Sequence, residues 1–522
     1  MPAPGAAPTD FAPPISFDPA PPGGGPSCLL PPRPSPCALV IFGASGDLAA
    51  RMILPAVHAL HRHGALPQGL AVLGAARTPW GDEDFRAHMR RALEAAGGMD
   101  GPAWEALAPR VFYQPLDYAD PAGFAALAAR LDALDAGAGT EGNRLFYLAT
   151  PPTVYAEAAR GLGAAGLARE ARGFSRLVVE KPFGRDLDSA RALDVALHEH
   201  FAEHQVFRID HYLAKETVQN ILLLRFANAI FEPLWNRRYV ASVTCAAMET
   251  LGVGHRAGYY ERSGVLRDMF QNHMMQLLAL VAMEPPPAFD AEAVRDEKAK
   301  VYRALRPFDP ARLADDLVLG QYGPGAPGGA PVPGYRREPG VAPDSATPTF
   351  AAMRLWVDNW RWQGVPFHLL SGKRLREKLT RIVVRFREVP HSLFRHILGE
   401  DIGANRLILD IHPGNAVSLT MQAKLPGARL CLQPATMRFD FDAARAPARA
   451  LDAYEKVLLD CMLGDQTLFW RQDAVEQCWG FLTPVLERCE ACGAQGSPAE
   501  LHGYAAGSWG PAAGLEMVQE LF

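Results

Sequence analysis

The chain has 522 residues and a formal net charge of −5, with 49% apolar and 21% charged residues. That length supports two or three domains with real cores, and the composition is that of a soluble globular protein. No basic block resembles a nucleic-acid footprint, and no uninterrupted apolar stretch is long enough to cross a bilayer, so neither nucleic acid nor membrane is expected as a partner.

The 8 cysteines are scattered along the chain, which suits reduced thiols in the cytoplasm better than a disulfide framework. Cys489-x-x-Cys492 reads as two small residues on a helix turn, and no metal site is expected. Residues 1–36 are mostly Pro, Gly and Ala and cannot bury enough surface to offset the entropy of ordering, so they read as a disordered tail. They lack the basic and apolar regions of a secretory signal.

From residue 37 the pattern changes. Ala38–Phe42 is a short apolar run ending in Gly43-Ala44-Ser45-Gly46-Asp47-Leu48-Ala49, followed by Met52, Ile53, Ala56 and Leu60 at helical spacing. This reads as strand, turn and helix, the place where a dinucleotide pyrophosphate docks on free N–H groups. The next strand, Leu70–Gly74, leads to Arg77 with no acid beside it. A ribose 2′-hydroxyl usually meets Asp or Glu here, whereas a 2′-phosphate wants Arg, so NADP is favoured over NAD.

Arg144–Ala149 and Arg176–Val179 are two further strands, separated by Ala-rich helical stretches. Strands alternating with helices predict a parallel sheet covered on both faces, with its ligand outside the carboxyl ends. Gly43, Arg77, Pro151 and Lys181 lie at those ends, and Pro182 is a candidate cis residue. Residues 37–208 are assigned to this domain and 209–522 to a second.

At that junction stands Arg208-Ile209-Asp210-His211-Tyr212-Leu213-Ala214-Lys215-Glu216. It combines a proton acceptor, several hydrogen-bond donors and a fixed positive charge, as a phosphorylated, hydroxyl-rich ligand requires. Downstream, Leu266, Phe270, His273, Leu277 and Leu280 recur as one apolar stripe of an α-helix. A partly buried His with a carboxylate partner is how a base near neutral pH is made. Asp268 falls off the α-helical stripe, which leaves Asp210 as the leading partner for His273.

A third cluster, Gly372-Lys373-Arg374-Leu375-Arg376-Glu377-Lys378, is basic and fits either a solvated face or a phosphate clamp. Thr380–Arg387, Arg406–Ile411, Val417–Ala423 and Arg429–Pro434 predict a largely antiparallel sheet. Residues 322–344 read as a long Pro/Gly-rich surface loop, and beyond Asp452 the pattern is helical again.

Taken together, Gly43–Ala49, Glu180-Lys181-Pro182-Phe183-Gly184, Arg208–Leu213 with Lys215-Glu216, and Arg267-Asp268 with Gln271-Asn272-His273 resemble the glucose-6-phosphate dehydrogenase family. Asn143–Leu148, Arg295-Asp296-Glu297-Lys298 and Gly372-Lys373 fit the same resemblance. It implies a Rossmann-type domain followed by an α+β domain with a large, mainly antiparallel sheet. It also implies oxidation of glucose 6-phosphate at C1 by NADP, in a cytoplasmic homodimer or homotetramer.

By the matching motifs, His273 would be the base and Asp210 its partner. His211, Tyr212, Lys215 and Lys378 would hold the phosphate. Lys181, Glu249, Asp268 and Lys373 would hold the sugar, with Lys181 also touching the cofactor. Gly43, Ala44, Ser45, Gly46, Asp47, Leu48 and Arg77 would hold the cofactor. The chain departs from the pattern at Ala214, in the loop after Glu249, at Lys378 where an Arg is usual, and at Leu379 and Val383, where animal enzymes carry the basic pair of a second, structural NADP site. No structural NADP is therefore expected.

Within the enzyme class, the phosphate cluster argues against a dehydrogenase of an unphosphorylated sugar. Retention of both Asp210 and His273 argues against a catalytically silent regulatory protein. The absence of a Gly-Lys-Ser/Thr loop after the first strand argues against a nucleotide hydrolase.

Overall fold

The computed structural model describes residues 33–213, 216–394, 402–427, 430–441, 451–494, 501–518 and 521. Most of the expected N-terminal tail therefore lies outside the described residues.

The first sheet has six strands: β1 (Cys37–Phe42), β2 (Leu70–Ala76), β3 (Val111–Pro115), β4 (Arg144–Leu148), β5 (Ser175–Val179) and β6 (Val206–Arg208). They are all parallel, in the order β3-β2-β1-β4-β5-β6. β1, β2 and β4 are buried along their whole length, as expected of strands covered on both faces. Covering helices include Leu54–Arg62, Pro121–Ala138, Tyr155–Ala164 and Leu187–His198. Asp186 starts the last of these by accepting the Ser189 N–H at 2.8 Å, which satisfies a donor that a helix cannot bond internally. Strand order reverses between β1 and β4, so a crevice opens at their carboxyl ends.

The second sheet has nine strands: β7 (Val240–Met248), β8 (Leu317–Gly323), β9 (Phe350–Trp356), β10 (Pro366–Gly372), β11 (Leu379–Phe386), β12 (Arg406–His412), β13 (Ala416–Lys424), β14 (Leu432–Asp440) and β15 (Leu501–Ala505). Their order is β14-β13-β12-β11-β7-β10-β9-β8-β15. Pairing is antiparallel except between β10 and β7 and between β15 and β8. The architecture is thus a Rossmann-type α/β unit followed by α+β structure on a mainly antiparallel sheet.

Two sequence expectations change. The fourth predicted strand of the antiparallel run, Arg429–Pro434, is observed instead as Leu432–Asp440, with residues 428–429 outside the described residues. Pro434 reads as a terminator but is accommodated inside the strand, because β14 is an edge strand and a missing N–H costs nothing on its open side. The stripe around His273 is not α-helical throughout. Residues Leu266–Met274 form a π-helix, which becomes α-helical at Met275–Ala282. The Pro/Gly-rich loop is anchored by Tyr335, which is buried. The Lys181–Pro182 peptide is cis.

The helices after residue 452 turn back to the first sheet. Ala453–Leu463 packs against Leu54–Arg62, and Gln472–Ala494 packs against Leu187–His198. Arg176 Nη1 donates to the carbonyls of Cys461 and Met462 at 2.8 and 2.7 Å, closing the C-terminal end of the first helix. The buried Trp479 donates its Nε1–H to Phe183 O at 2.8 Å, next to the strand end that carries Lys181. Trp479→Ala is expected to cost about 3–5 kcal/mol through a cavity and a lost hydrogen bond. Denaturant unfolding checks this, and a change under about 1 kcal/mol would mean that the helix is not held there.

Candidate functional site

Three segments meet at the carboxyl end of the first sheet. The first follows β5 and carries Glu180 and Lys181. The second follows β6 and carries Asp210, His211 and Tyr212. The third is the π-helix Leu266–Met274, with Asp268 and His273.

His273 and Asp210 are both buried. The His273 Nδ1 lies 2.5 Å from Asp210 Oδ1, which also accepts the Tyr212 N–H at 2.9 Å. The carboxylate therefore fixes the tautomer: Nδ1 carries the proton and Nε2 keeps its lone pair. Lys181 Nζ stands 2.8 Å from that Nε2 and also donates to Asp268 O at 3.1 Å. The same ammonium is 3.4 Å from Asp268 Oδ1. The Tyr212 ring stacks on His273 with centroids 4.1 Å apart.

On an α-helix Asp268 and His273 would diverge. The wider i→i+5 turn of the π-helix lets both reach Lys181. Asp268 thus joins the cluster through a shared cation, while the direct partner of His273 is Asp210.

The charges are mutually dependent. Burial raises the pKa of Asp210, but His273 and Lys181 outweigh it and hold the carboxyl at about 2. Burial likewise raises Asp268, which Lys181 and Lys373 bring down to about 2. Burial lowers His273; Asp210 opposes this and Lys181 adds to it, leaving the imidazole below its ordinary value and neutral at pH 7. A neutral imidazole held at Nδ1 by a carboxylate can accept a proton at Nε2.

Beside this core, Lys373 pairs with Glu249 and lies 3.8 Å from Asp268 Oδ2. It also sits 5.0 Å over the Tyr260 ring. Tyr259 approaches Asp268 Oδ1 at 3.5 Å. Thr380, at the start of β11, hydrogen-bonds the Tyr212 hydroxyl. Lys378 precedes it and is exposed. Lys215 lies outside the described residues.

His211 turns away from this group. Its Nε2 is 3.1 Å from Glu180 Oε2 and 3.1 Å from the Tyr454 hydroxyl, while Tyr147 donates to Glu180 Oε1 at 2.6 Å. Burial raises Glu180, but His211 and Tyr147 bring it below its ordinary value.

The glycine turn after β1 is built for close approach. Gly43 has φ +75°, and a Cβ there would lie 2.5 Å from Ala149 O, so only Gly fits. Tyr118 accepts the Gly43 N–H at 2.9 Å and Thr78 donates to Ser45 Oγ at 3.0 Å, pinning the turn to the end of β2. Ala44 is buried, Leu48 is half-buried, and Gly46 and Asp47 are exposed where the helix begins. Arg77 is exposed close enough to lower the Tyr118 hydroxyl, although burial raises it on balance. A glycine turn leading into a helix N-terminus, with an exposed guanidinium at the next strand end, fits a phosphorylated dinucleotide. A cleft of about 1090 Å³ lined by Pro151, Pro182, Tyr259 and Leu266 opens beside Lys181 and Asp268.

Sequence reading missed Tyr118, Thr78, Tyr147, Tyr259, Thr380 and Tyr454. Tyr147 lies within a strand-like apolar run, and nothing near Tyr454 in the sequence marks it as a neighbour of His211.

The geometry can be set beside known proteins. Residues 40–220 match the model for "Glucose-6-phosphate dehydrogenase, NAD binding domain", and residues 222–521 match that for its C-terminal domain. A glucose-6-phosphate 1-dehydrogenase of Aggregatibacter actinomycetemcomitans is 46% identical over 482 residues, covering 92% of this chain and 95% of that protein. That of Bacillus subtilis (strain 168) is 42% identical over 478 residues, covering 91% and 94%. A solved glucose-6-phosphate dehydrogenase in complex with its substrate glucose-6-phosphate superposes with a TM-score of 0.85 at 34% identity, covering 94% of this chain and 98% of that one.

The contact of Lys181 with His273 Nε2 leads to a direct prediction. Lys181→Met should move protonation of His273 to higher pH, because it removes a positive charge facing the ring. Imidazole ¹⁵N shifts followed across pH check this, and an unmoved midpoint would separate the two groups.

Proposed function

The chain belongs to the glucose-6-phosphate dehydrogenase family, and we propose how its own residues carry out the reaction of that family. The protein is an NADP-dependent oxidoreductase. It oxidises glucose 6-phosphate at C1 to 6-phospho-D-glucono-1,5-lactone, the first step of the oxidative pentose phosphate pathway.

Bound NADP⁺ supplies the hydride acceptor. His273 takes the proton of the C1 hydroxyl at Nε2. Asp210 holds Nδ1–H and stabilises the imidazolium that forms, as carboxylates do for other catalytic histidines. The single observation that carries this reading is the buried hydrogen bond from His273 Nδ1 to Asp210, with Nε2 directed at Lys181.

Lys181, Asp268, Glu249 and Lys373 bind the sugar hydroxyls, and their alternating charges support that role. His211, Tyr212, Lys215 and Lys378 bind the phosphate, with Glu180 and Tyr454 orienting the His211 ring. Gly43 to Leu48 receive the pyrophosphate, Arg77 the 2′-phosphate, and Lys181 faces both ligands. The division into residues 37–208 and 209–522 belongs to the same reading.

Cys37, Cys245, Cys461 and Cys478 are free and buried, which supports a reducing, cytoplasmic setting. Among the described residues no helix is long and apolar enough to cross a membrane. A homodimer or homotetramer built on the open side of the second sheet is supported by Met421 and Met437, 40% and 46% exposed on its outer strands.

NADPH absorbance checks the reaction, with glucose 6-phosphate against glucose and NADP⁺ against NAD⁺. Turnover is expected with the phosphorylated sugar, and its absence with both cofactors would overturn the reading. His273→Asn should lower kcat by about 10²–10⁴-fold while leaving KM within a few-fold, since the proton is removed only in the transition state. Survival of kcat with a raised KM would remove His273 as the base.

Lys215→Ala should raise KM for glucose 6-phosphate by roughly 10–100-fold, the loss of one charge-assisted bond to phosphate. Arg77→Ala should weaken NADP⁺ by about tenfold or more and leave NAD⁺ nearly unchanged. Equal losses for both cofactors would place Arg77 elsewhere.

A further inference from the structure

The segment Arg295-Asp296-Glu297-Lys298 takes no part in the mechanism above. It lies on the helix Ala291–Arg303. Lys298 is 1% exposed, and its Nζ has no hydrogen-bond partner among the described residues. A buried ammonium left alone is costly enough to require an explanation.

The helix is fastened to both halves of the Asp210–His273 pair. One turn after Lys298, the Tyr302 hydroxyl donates to Met275 O at 3.4 Å, just past His273. The Tyr302 ring stacks on Trp470 with centroids 5.7 Å apart. The Trp470 N–H in turn donates to Arg208 O at 3.1 Å, just before Asp210. Lys298 is thus carried by a helix tied to the segments that hold both members of the pair, and Asp210 is among the charges that act on its ammonium.

Asp210 offers the complementary group. Its Oδ1 is engaged by His273 and Tyr212, whereas Oδ2 is buried with no partner among the described residues. Trp470 Nε1 and both amide atoms of Gln276 are buried and unpartnered in the same way. A buried ammonium and a buried carboxylate oxygen that act on each other, both without a protein partner among the described residues, are the kind of polar groups that an ordered water bridges.

We propose that Lys298 is a positioning residue for the catalytic pair: its ammonium supports the second oxygen of Asp210 through a buried water, keeping Asp210 ionised and its Oδ1 on His273. The inference rests on the reading of His273 as the base. Charged and titratable groups surround both partners. Lys298 faces Arg295 on its own helix, Arg471 and Cys478 from the C-terminal helical region, and Asp210. His273 faces Asp210, Lys181 and Asp268. Burial lowers Lys298 to about 7, with Arg295 adding to this and Asp210 opposing it. The amine is therefore charged at the lower pH at which His273 takes up its proton.

The test is the pH dependence of kcat and KM for Lys298→Met and Lys298→Gln beside the unmodified enzyme. Both variants should lose about tenfold in kcat with KM for glucose 6-phosphate within about twofold, as for an interaction that matters only in the transition state. The acid limb should move to higher pH, because removing a cation eases protonation of His273. A folded variant with unchanged kcat and an unmoved acid limb would overturn the proposal.

A high-resolution crystal structure of the unmodified protein decides the matter even if neither variant folds. It should contain a water within hydrogen-bond reach of both Lys298 Nζ and Asp210 Oδ2. An ammonium bonded elsewhere with no such water overturns the proposal. An unmodified enzyme with no turnover would instead defeat the functional reading, and the crystallographic result would still judge the placement of Lys298.

Discussion

The hydrogen bond between His273 and Asp210 joins two structures that are built separately. Asp210 leaves the last strand of a parallel sheet, and His273 sits on a helix packed against a mainly antiparallel one. Neither side chain could fill its proposed role without the other. The imidazole needs a buried acceptor to fix its tautomer, and the carboxylate needs a buried donor to stay charged. The relative placement of the two sheets is therefore part of the chemistry, and the Lys181 segment, the C-terminal helices and the π-helix all serve to hold it.

Electrostatics in this junction works as a lattice rather than as separate ion pairs. Asp210 and Asp268 are both buried, yet both are held near pKa 2, Asp210 by His273 and Lys181 and Asp268 by Lys181 and Lys373. Burial and Lys181 depress His273. Lys181 thus contributes to the ionisation of both acids and, together with burial, to the neutrality of the base, the combination that proton abstraction at neutral pH requires. Buried charges of this kind are costly unless each has a partner, which explains why Glu249 and Lys373 extend the cluster outward instead of ending it at Asp268.

Much of this was legible in the sequence, for reasons that can be named. The first sheet was readable because buried parallel strands are continuous apolar runs, and their glycine and proline ends mark the rim. Asp210 as partner of His273 followed from elimination along the helix. The elimination was sound in its result but assumed α-helical spacing. A π-helix lengthens the hydrogen-bond step of an α-helix by one residue, from i→i+4 to i→i+5, and no side-chain pattern in Leu266–Met274 announces it. The shift of β14 had the opposite cause: Pro434 is a strong local signal that tertiary position overrides at an open edge. Tyr454 beside His211 and the action of Asp210 on Lys298 are interactions between segments far apart in the chain, and a single sequence carries no sign of them.

The return of the last helices to the first sheet has a consequence for the order in which the molecule comes into being. Arg176, Phe183 and Arg208 all rely on groups beyond residue 460. During synthesis the parallel sheet and its own covering helices leave the ribosome first, yet the two C-terminal helices that pack against them are among the last segments to follow. The nascent chain must therefore carry the first domain without this outer packing through most of its elongation. Contacts of such sequence separation also slow folding. The reactive junction is completed only once the chain is nearly whole, so a truncated product has the strands of the first sheet but no working site.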